Sequence, residues 1–125
     1  MGMVGRPSVV HFAGVTQWTY TGKQMNGIRL IQSHPAAAAR AGIKDGDAVV
    51  VDSPRGAVSG TALLWQGIRE DTIFVPNTFG PMQKMAAEFG DPLYEPANTL
   101  LDDRYYDNLS GQQAYKCFAC RVRKA

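Results

Sequence analysis

The sequence predicts a single β-rich domain with many tight turns. Thirteen glycines and seven prolines in 125 residues leave few long periodic stretches, a composition typical of short strands joined by turns. β-Branched runs between turn residues, such as Ala48–Val51, indicate buried strands. Hydrophobic residues make up 45% and charged residues 19% of the chain, so a folded core is expected rather than a disordered chain.

The N-terminal quarter of the sequence is predicted to form a leader, two strands and a long loop. Met1–Pro7 is expected to be a loose leader, with residues 8–125 as the folded domain. Ser8–Phe12 and Ile28–Ile31 predict short strands on either side of Ala13–Asn26. A loop of that length inside a compact domain is usually functional or disordered, so it is a candidate binding segment.

A short helix is predicted to begin near His34. Ser33 or His34 can cap it, because a side-chain acceptor there satisfies an otherwise unpaired backbone N–H. Pro35 suits the first turn, where its missing N–H costs nothing. Gly42 is expected to end the helix in the left-handed conformation.

The remaining elements are two strands joined by a turn, a buried strand, a short helix, a long loop and a closing strand. In chain order these are Ala48–Val51 and Ala57–Leu64 with the turn Ser53–Gly56 between them, Thr72–Val75, Met82–Phe89, Gly90–Gln113 and Ala114–Arg123. In the closing strand the apolar residues Phe118, Cys120 and Val122 are expected to share one face.

Cys117 and Cys120 form a C-x-x-C pair within the closing strand. Residues three apart on a strand face opposite sides, which is poor geometry for a disulfide or a shared metal ion. Two ligands alone also make no structural zinc site. We therefore predict no redox or metal role for this pair, and cysteine usage does not indicate the compartment.

Charge and hydropathy argue against two classes of partner. The formal net charge of +2 is too small to indicate nucleic acid binding. No apolar run approaches the ~20 residues of a membrane span. The acidic residues lack the ligand spacing of a calcium loop, so no metal site is predicted. No nucleophilic catalytic constellation is recognisable either.

A series of residues in the middle of the chain follows the order and spacing of one family pattern. They are His34, Pro35, Ala38, Gly42, Ile43, Gly46, Asp47, Val49, Val51, Ser53 and Gly56. The chain thereby resembles the C-terminal dinucleotide-binding domain of the molybdopterin oxidoreductases, which include dimethyl sulfoxide, nitrate and arsenate reductases. Later blocks match as well, at Phe74–Pro76, Phe79-Gly80, Ala97–Leu100 and Gln113–Lys116. The resemblance implies a six-stranded double-psi β-barrel with a few short helices.

The resemblance also implies that polar loops bind part of a molybdopterin guanine dinucleotide, whose molybdenum or tungsten is held by other domains. The candidate cofactor-binding residues are Ala13, Gly14, Val15, Thr16, Gln17, Asn77, Thr78, Asn98 and Lys116. Small residues after a strand let the main chain approach a phosphate, and an amide offers a donor and an acceptor together. On residue chemistry alone, an Asx-type turn at Asn98 and a solvated Lys116 remain open.

Two functions follow as hypotheses. The first is a C-terminal domain or small subunit of a molybdenum or tungsten oxidoreductase, similar to the arsenate, thiosulfate and polysulfide reductases. The chain would then need a catalytic domain or subunit as partner and be inactive alone, because the family's metal ligand lies in another domain. The alternative is a non-enzymatic double-psi barrel module for recognition, since a fold does not by itself give a function.

Overall fold

The computed structural model describes residues 1–5, 29–77, 95–114 and 117–125. They form mainly β structure with few helices. The elements are β1 (Gly2–Gly5), β2 (Leu30–Ser33), α1 (Pro35–Arg40), β3 (Ala48–Asp52), β4 (Ala57–Leu64), β5 (Ile73–Pro76), a 3₁₀-helix (Ala97–Leu100) and β6 (Arg121–Lys124). Neither described helix is long enough or apolar enough to cross a bilayer.

The described strands form one six-stranded sheet in the order β1-β5-β2-β4-β3-β6. β1 pairs with β5, and β2 with β4, in parallel, whereas the other three pairs are antiparallel. These directions bring the ends of β1, β3 and β5 and the starts of β2, β4 and β6 to one end of the sheet. We call this end, marked by Gly5, Pro76 and Leu30, the loop rim.

The core lies on one face of the sheet and beneath both described helices. Its fully buried members include Ile31, Val51 and Val75 on three different strands, each at most 1% exposed. Residues of the strands alternate between buried and partly exposed, as the pleat requires. α1 contributes Ala38, and the 3₁₀-helix contributes Ala97 and Leu100 to the same core.

The first strand corrects the prediction of a loose leader. Gly2–Gly5 pairs along its whole length with β5, and Val4 is only 2% exposed. The glycines hide this strand in the sequence, yet Gly2 must be small because a Cβ there would collide with the ring of Phe118. This strand forms because of contacts with residues far along the chain, so its local composition does not predict it.

The helix agrees with its sequence signals. Nδ1 of His34 accepts a hydrogen bond from the backbone N–H of Ala36 at 3.2 Å, which makes His34 the N-cap. Pro35 is the first helical residue, and Gly42 follows the helix with a φ of 67°. These features are confirmed because capping depends on neighbours within a few residues.

Other elements differ from their predicted bounds at the ends. The strands expected over Ala48–Val51 and Thr72–Val75 extend or shift by one residue, and Ala57–Leu64 is found as predicted. The long loop Gly90–Gln113 contains the 3₁₀-helix within its described part. The strand predicted over Ser8–Phe12 and the helix predicted over Met82–Phe89 lie outside the described residues.

The closing segment is regular only in its last part, β6. Before β6, Phe118 forms an isolated antiparallel bridge with Gly2. The Gly2 N–H donates to the Phe118 oxygen at 2.7 Å, and the Phe118 N–H donates back at 3.3 Å. Phe118, Cys120 and Val122 are partly buried against the core, which confirms their predicted common face.

Candidate functional site

Asn77 directly follows β5 at the loop rim. Its backbone N–H donates to the oxygen of Gly5 at 3.0 Å, which holds it against the end of β1. Its side-chain Oδ1 is buried and has no hydrogen-bond partner within the described part of the chain. Leaving a buried acceptor unpaired costs about 1–3 kcal/mol. The side chain is therefore suited to accept a hydrogen bond from a bound molecule.

Asn98 lies on the exposed side of the 3₁₀-helix. Such a helix has about three residues per turn, so Ala97 and Leu100 fall on the same side. Both are buried, at 2% and 1% exposure, whereas Asn98 and Thr99 are exposed. The side chain of Asn98 makes no hydrogen bond to the described residues, so an Asx-type turn does not hold it there. Its amide donor and acceptor are both available at the surface.

The direction of β5 and the contacts of one buried side chain show where Asn77 and Asn98 lie relative to each other. β5 runs antiparallel to β2, so its end, with Asn77, points toward Arg29 at the start of β2. The Arg29 guanidinium donates to the backbone oxygen of Ser59 on β4 at 3.2 Å, and also to the backbone oxygen of Glu95. Glu95 lies three residues before Asn98. Two of the predicted site residues thus belong to the same end of the sheet.

Ser59 also holds the side chain of Glu95. The carboxylate Oε2 accepts from the Ser59 backbone N–H at 3.0 Å and from its hydroxyl at 2.9 Å. Arg29 Nη1 lies 4.0 Å from the same oxygen. Burial raises the pKa of Glu95. The Ser59 hydrogen bonds and the charge of Arg29 lower the pKa and outweigh the effect of burial, so the net pKa lies below its ordinary value of 4.5. No local sequence pattern indicates this cluster, because its three residues lie far apart in the chain.

The lowered pKa of Glu95 makes a pH-dependent prediction. A carboxylate with a depressed folded-state pKa stabilises the fold above its ordinary pKa, and this contribution is lost as pH falls through the folded value. Because the Glu95 side chain is 49% exposed, Glu95→Gln is expected to destabilise by about 1 kcal/mol or less at pH 7. Urea unfolding should show that difference shrinking toward pH 3. A difference unchanged between pH 7 and pH 3 would contradict the assignment.

A cavity of about 570 Å³ lies beside the 3₁₀-helix, within the size range of small-molecule sites. Its apolar wall includes Leu100, Tyr105 and Phe118, and its charged wall includes Arg55, Asp102 and Arg104. Arg104 pairs with Asp102 at 2.6 Å, and Arg55 pairs with Asp103 at 3.2 Å. The Arg104 hydrogen bonds hold the pKa of Asp102 far below its usual range. The arginines at this cavity are therefore charge-compensated.

The other predicted site residues lie outside the described ranges. They are Ala13, Gly14, Val15, Thr16, Gln17, Thr78 and Lys116. The described chain reaches the loop rim at Gly5 and at Asn77, the residues that precede segments 6–28 and 78–94. Ala114 and Cys117, on either side of residues 115–116, both line the cavity.

The two cysteines are free thiols in different surroundings. Cys117 is exposed and Cys120 is half-buried. Burial raises the pKa of the Cys120 thiol, which disfavours the reactive thiolate. Within residues 1–5, 29–77, 95–114 and 117–125, no three histidine, cysteine or acidic side chains cluster as metal ligands would.

Comparison with known families gives one match over most of the chain. A family model described as "Molydopterin dinucleotide binding domain" matches residues 4–119. The matched region includes Asn77, Asn98 and the Arg29–Ser59–Glu95 cluster. It begins inside β1.

Two molybdopterin-containing relatives share sequence with part of this chain, and one solved structure shares its fold. The thiosulfate reductase molybdopterin-containing subunit of Salmonella typhimurium is 37% identical over 71 residues, which is 57% of this chain and 9% of that protein. The arsenate respiratory reductase molybdopterin-containing subunit of Shewanella sp. strain ANA-3 is 35% identical over 86 residues, 66% of this chain and 10% of that protein. The matched part thus spans about a tenth of these relatives. Acetylene hydratase from Pelobacter acetylenicus shares the fold, with a TM-score of 0.77 over 99% of this chain and 18% of that chain, at 16% identity.

Proposed function

The chain belongs to the molybdopterin dinucleotide-binding domain family, and we propose that its loop rim binds part of the cofactor within a larger oxidoreductase. The family match and the molybdopterin-containing relatives confirm the cofactor expected from the sequence, molybdopterin guanine dinucleotide.

The observation that carries the proposal is the buried, unpaired Oδ1 of Asn77 at the loop rim. Pterin and guanine rings carry N–H donors and ring acceptors along one edge, which is the complement of an amide. Asn77 would accept from such a donor, and the exposed amide of Asn98 would supply a second contact from the 3₁₀-helix. The residues present therefore fit the cofactor.

The other candidate residues implied by the resemblance to the family would supply the remaining contacts of the proposed site. Ala13–Gln17 would offer backbone N–H groups to a phosphate, and Lys116 would offer a charge-assisted hydrogen bond. Thr78 would extend the contact made by Asn77.

The proposed assembly is one domain of a molybdenum or tungsten oxidoreductase. When bound, the metal centre supplies the electron transfer, while this chain binds and orients the organic part of the cofactor. The metal ligand and the remainder of the pocket would come from the partner domain or subunit. The two reductase relatives favour thiosulfate, arsenate or a similar inorganic compound as substrate. The isolated chain should be inactive.

A closed double-psi barrel is the finer form of the fold that we propose. β1 and β6 are the two outer strands of the sheet order. The paired hydrogen bonds between Gly2 and Phe118 link β1 to the segment that leads into β6. Closure of the sheet through this segment would leave neither β1 nor β6 as an exposed edge strand.

Substitution of Asn98 tests the proposed site. In the cofactor-loaded enzyme that contains this chain, Asn98→Ala should release the cofactor about tenfold faster, the cost of losing one or two hydrogen bonds. Bound molybdenum and guanine nucleotide per protein, followed over time after gel filtration, measure the loss. Gln66→Ala is the control, because Gln66 is an exposed amide beyond the far end of β4. Equal loss rates in both variants would refute the role of Asn98.

A further inference from the structure

We infer that Arg29 is a positioning residue, which fixes the segment Glu95–Leu100 and thereby sets where Asn98 stands at the loop rim. The inference rests on the proposed function, because the position of Asn98 matters only if Asn98 meets the cofactor. No sequence motif indicates this role. It follows from the burial and the contacts of the Arg29 side chain.

Arg29 is fully buried, at 0% exposure, and belongs to the largest buried side chains. A buried guanidinium is costly unless its donors are used, and here two of its nitrogens donate to the main chain of two separate segments. One bond reaches the oxygen of Ser59 on β4, and another reaches the oxygen of Glu95. The planar fork of an arginine bridges two such acceptors in a fixed geometry, whereas a lysine ammonium on its flexible stem has rotatable donors and sets no such geometry.

The segment that carries Asn98 is held from three directions. Before the 3₁₀-helix, Glu95 is fixed through its backbone by Arg29 and through its carboxylate by Ser59. Beneath the helix, Ala97 and Leu100 are anchored in the core. On a third side the chain passes close to Gly56, where an added Cβ would lie 2.6 Å from Thr99 Cγ2.

Of these three restraints, Arg29 is the one that ties the segment directly to the start of β2. β2 is also the strand toward which the end of β5, with Asn77, points. Arg29 therefore sets the spacing between the two asparagines. A site whose groups are held in place loses less freedom on binding, so loosening it weakens binding without removing a contact.

A double-mutant cycle in the cofactor-loaded enzyme tests the inference. Arg29→Lys should release the cofactor about tenfold faster when Asn98 is present, as expected for about one lost hydrogen bond. In the Asn98→Ala background, Arg29→Lys should cause little further loss, because the two residues act through one contact. Arg69→Lys is the control, since Arg69 is exposed and pairs with Asp71.

The possible results distinguish the positioning role of Arg29 from the proposed cofactor binding. An equal effect of Arg29→Lys in both backgrounds would overturn the positioning role while leaving the cofactor site intact. No effect of Asn98→Ala by itself would overturn both. If Arg29→Lys does not fold, Arg29→Gln replaces it in the cycle, because the shorter neutral amide also loses the bridge between the backbone oxygens of Ser59 and Glu95. A faster cofactor release that again disappears in the Asn98→Ala background is then expected, and an undiminished effect would overturn the inference.

Discussion

Asn77→Ala is expected to weaken cofactor retention about tenfold to a hundredfold without lowering the free energy of unfolding. The Oδ1 of Asn77 is buried and unpaired among the described residues, so its removal relieves a cost in the cofactor-free fold. In the loaded enzyme the same change strands a cofactor donor without its acceptor. Binding and stability should therefore change independently, or even in opposite directions.

Ser33→Ala supplies a matched control for Asn77→Ala. The Oγ of Ser33 is also buried and lacks a partner within the described residues, but Ser33 ends β2 on the side away from the loop rim. Both variants should unfold at urea concentrations at or slightly above that of the parent protein. Only Asn77→Ala should lose molybdenum and guanine nucleotide faster. A clear loss of stability in Asn77→Ala, or equal cofactor loss in both variants, would contradict this account.

Leu100→Ala is expected to lower the free energy of unfolding by about 2–5 kcal/mol, the usual cost of truncating a buried leucine. Leu100 is 1% exposed and anchors the 3₁₀-helix in the core. Because that helix carries Asn98, the variant should also lose cofactor faster. Urea unfolding of the chain measures the first effect, and cofactor content of the loaded enzyme measures the second.

Leu109→Ala is the control for this truncation. Leu109 is 98% exposed, so its replacement should change the free energy of unfolding by no more than about 0.5 kcal/mol. If Leu100→Ala were as stable as Leu109→Ala, the 3₁₀-helix would not be held by its buried side. The fixed presentation of Asn98 would then lose its physical basis.

The parts of the fold that sequence reasoning predicted are those decided by near neighbours. His34, Pro35 and Gly42 bracket α1 through contacts within a few residues, and all three act as expected. The alternation of Phe118, Cys120 and Val122 also emerges as predicted. β1 was missed because its glycines have poor strand propensity, and only distant partners reveal why small residues are required there.

In the candidate site too, some residues are recognisable from the sequence and others only from long-range contacts. The resemblance to a family indicates Asn77 and Asn98. The direction of β5 explains the position of Asn77, and the hydrogen bonds of Glu95 with Arg29 and Ser59 explain that of Asn98. Arg29, Ser59 and Glu95 could not be found in this way, because their partners lie 30 to 66 residues apart in the chain. A buried arginine has no local signature in a sequence. Its role becomes visible only when β2, β4 and the 3₁₀-helix are brought together.

The most direct test of the central claim is an experimental structure of the cofactor-loaded enzyme that contains this chain. The account predicts a donor of the pterin or guanine part within about 3.2 Å of Asn77 Oδ1, and a second polar contact at the Asn98 amide. It also predicts Arg29 still bonded to Ser59 and Glu95. A cofactor bound at the opposite end of the sheet, near Ser33 and Leu64, would contradict it.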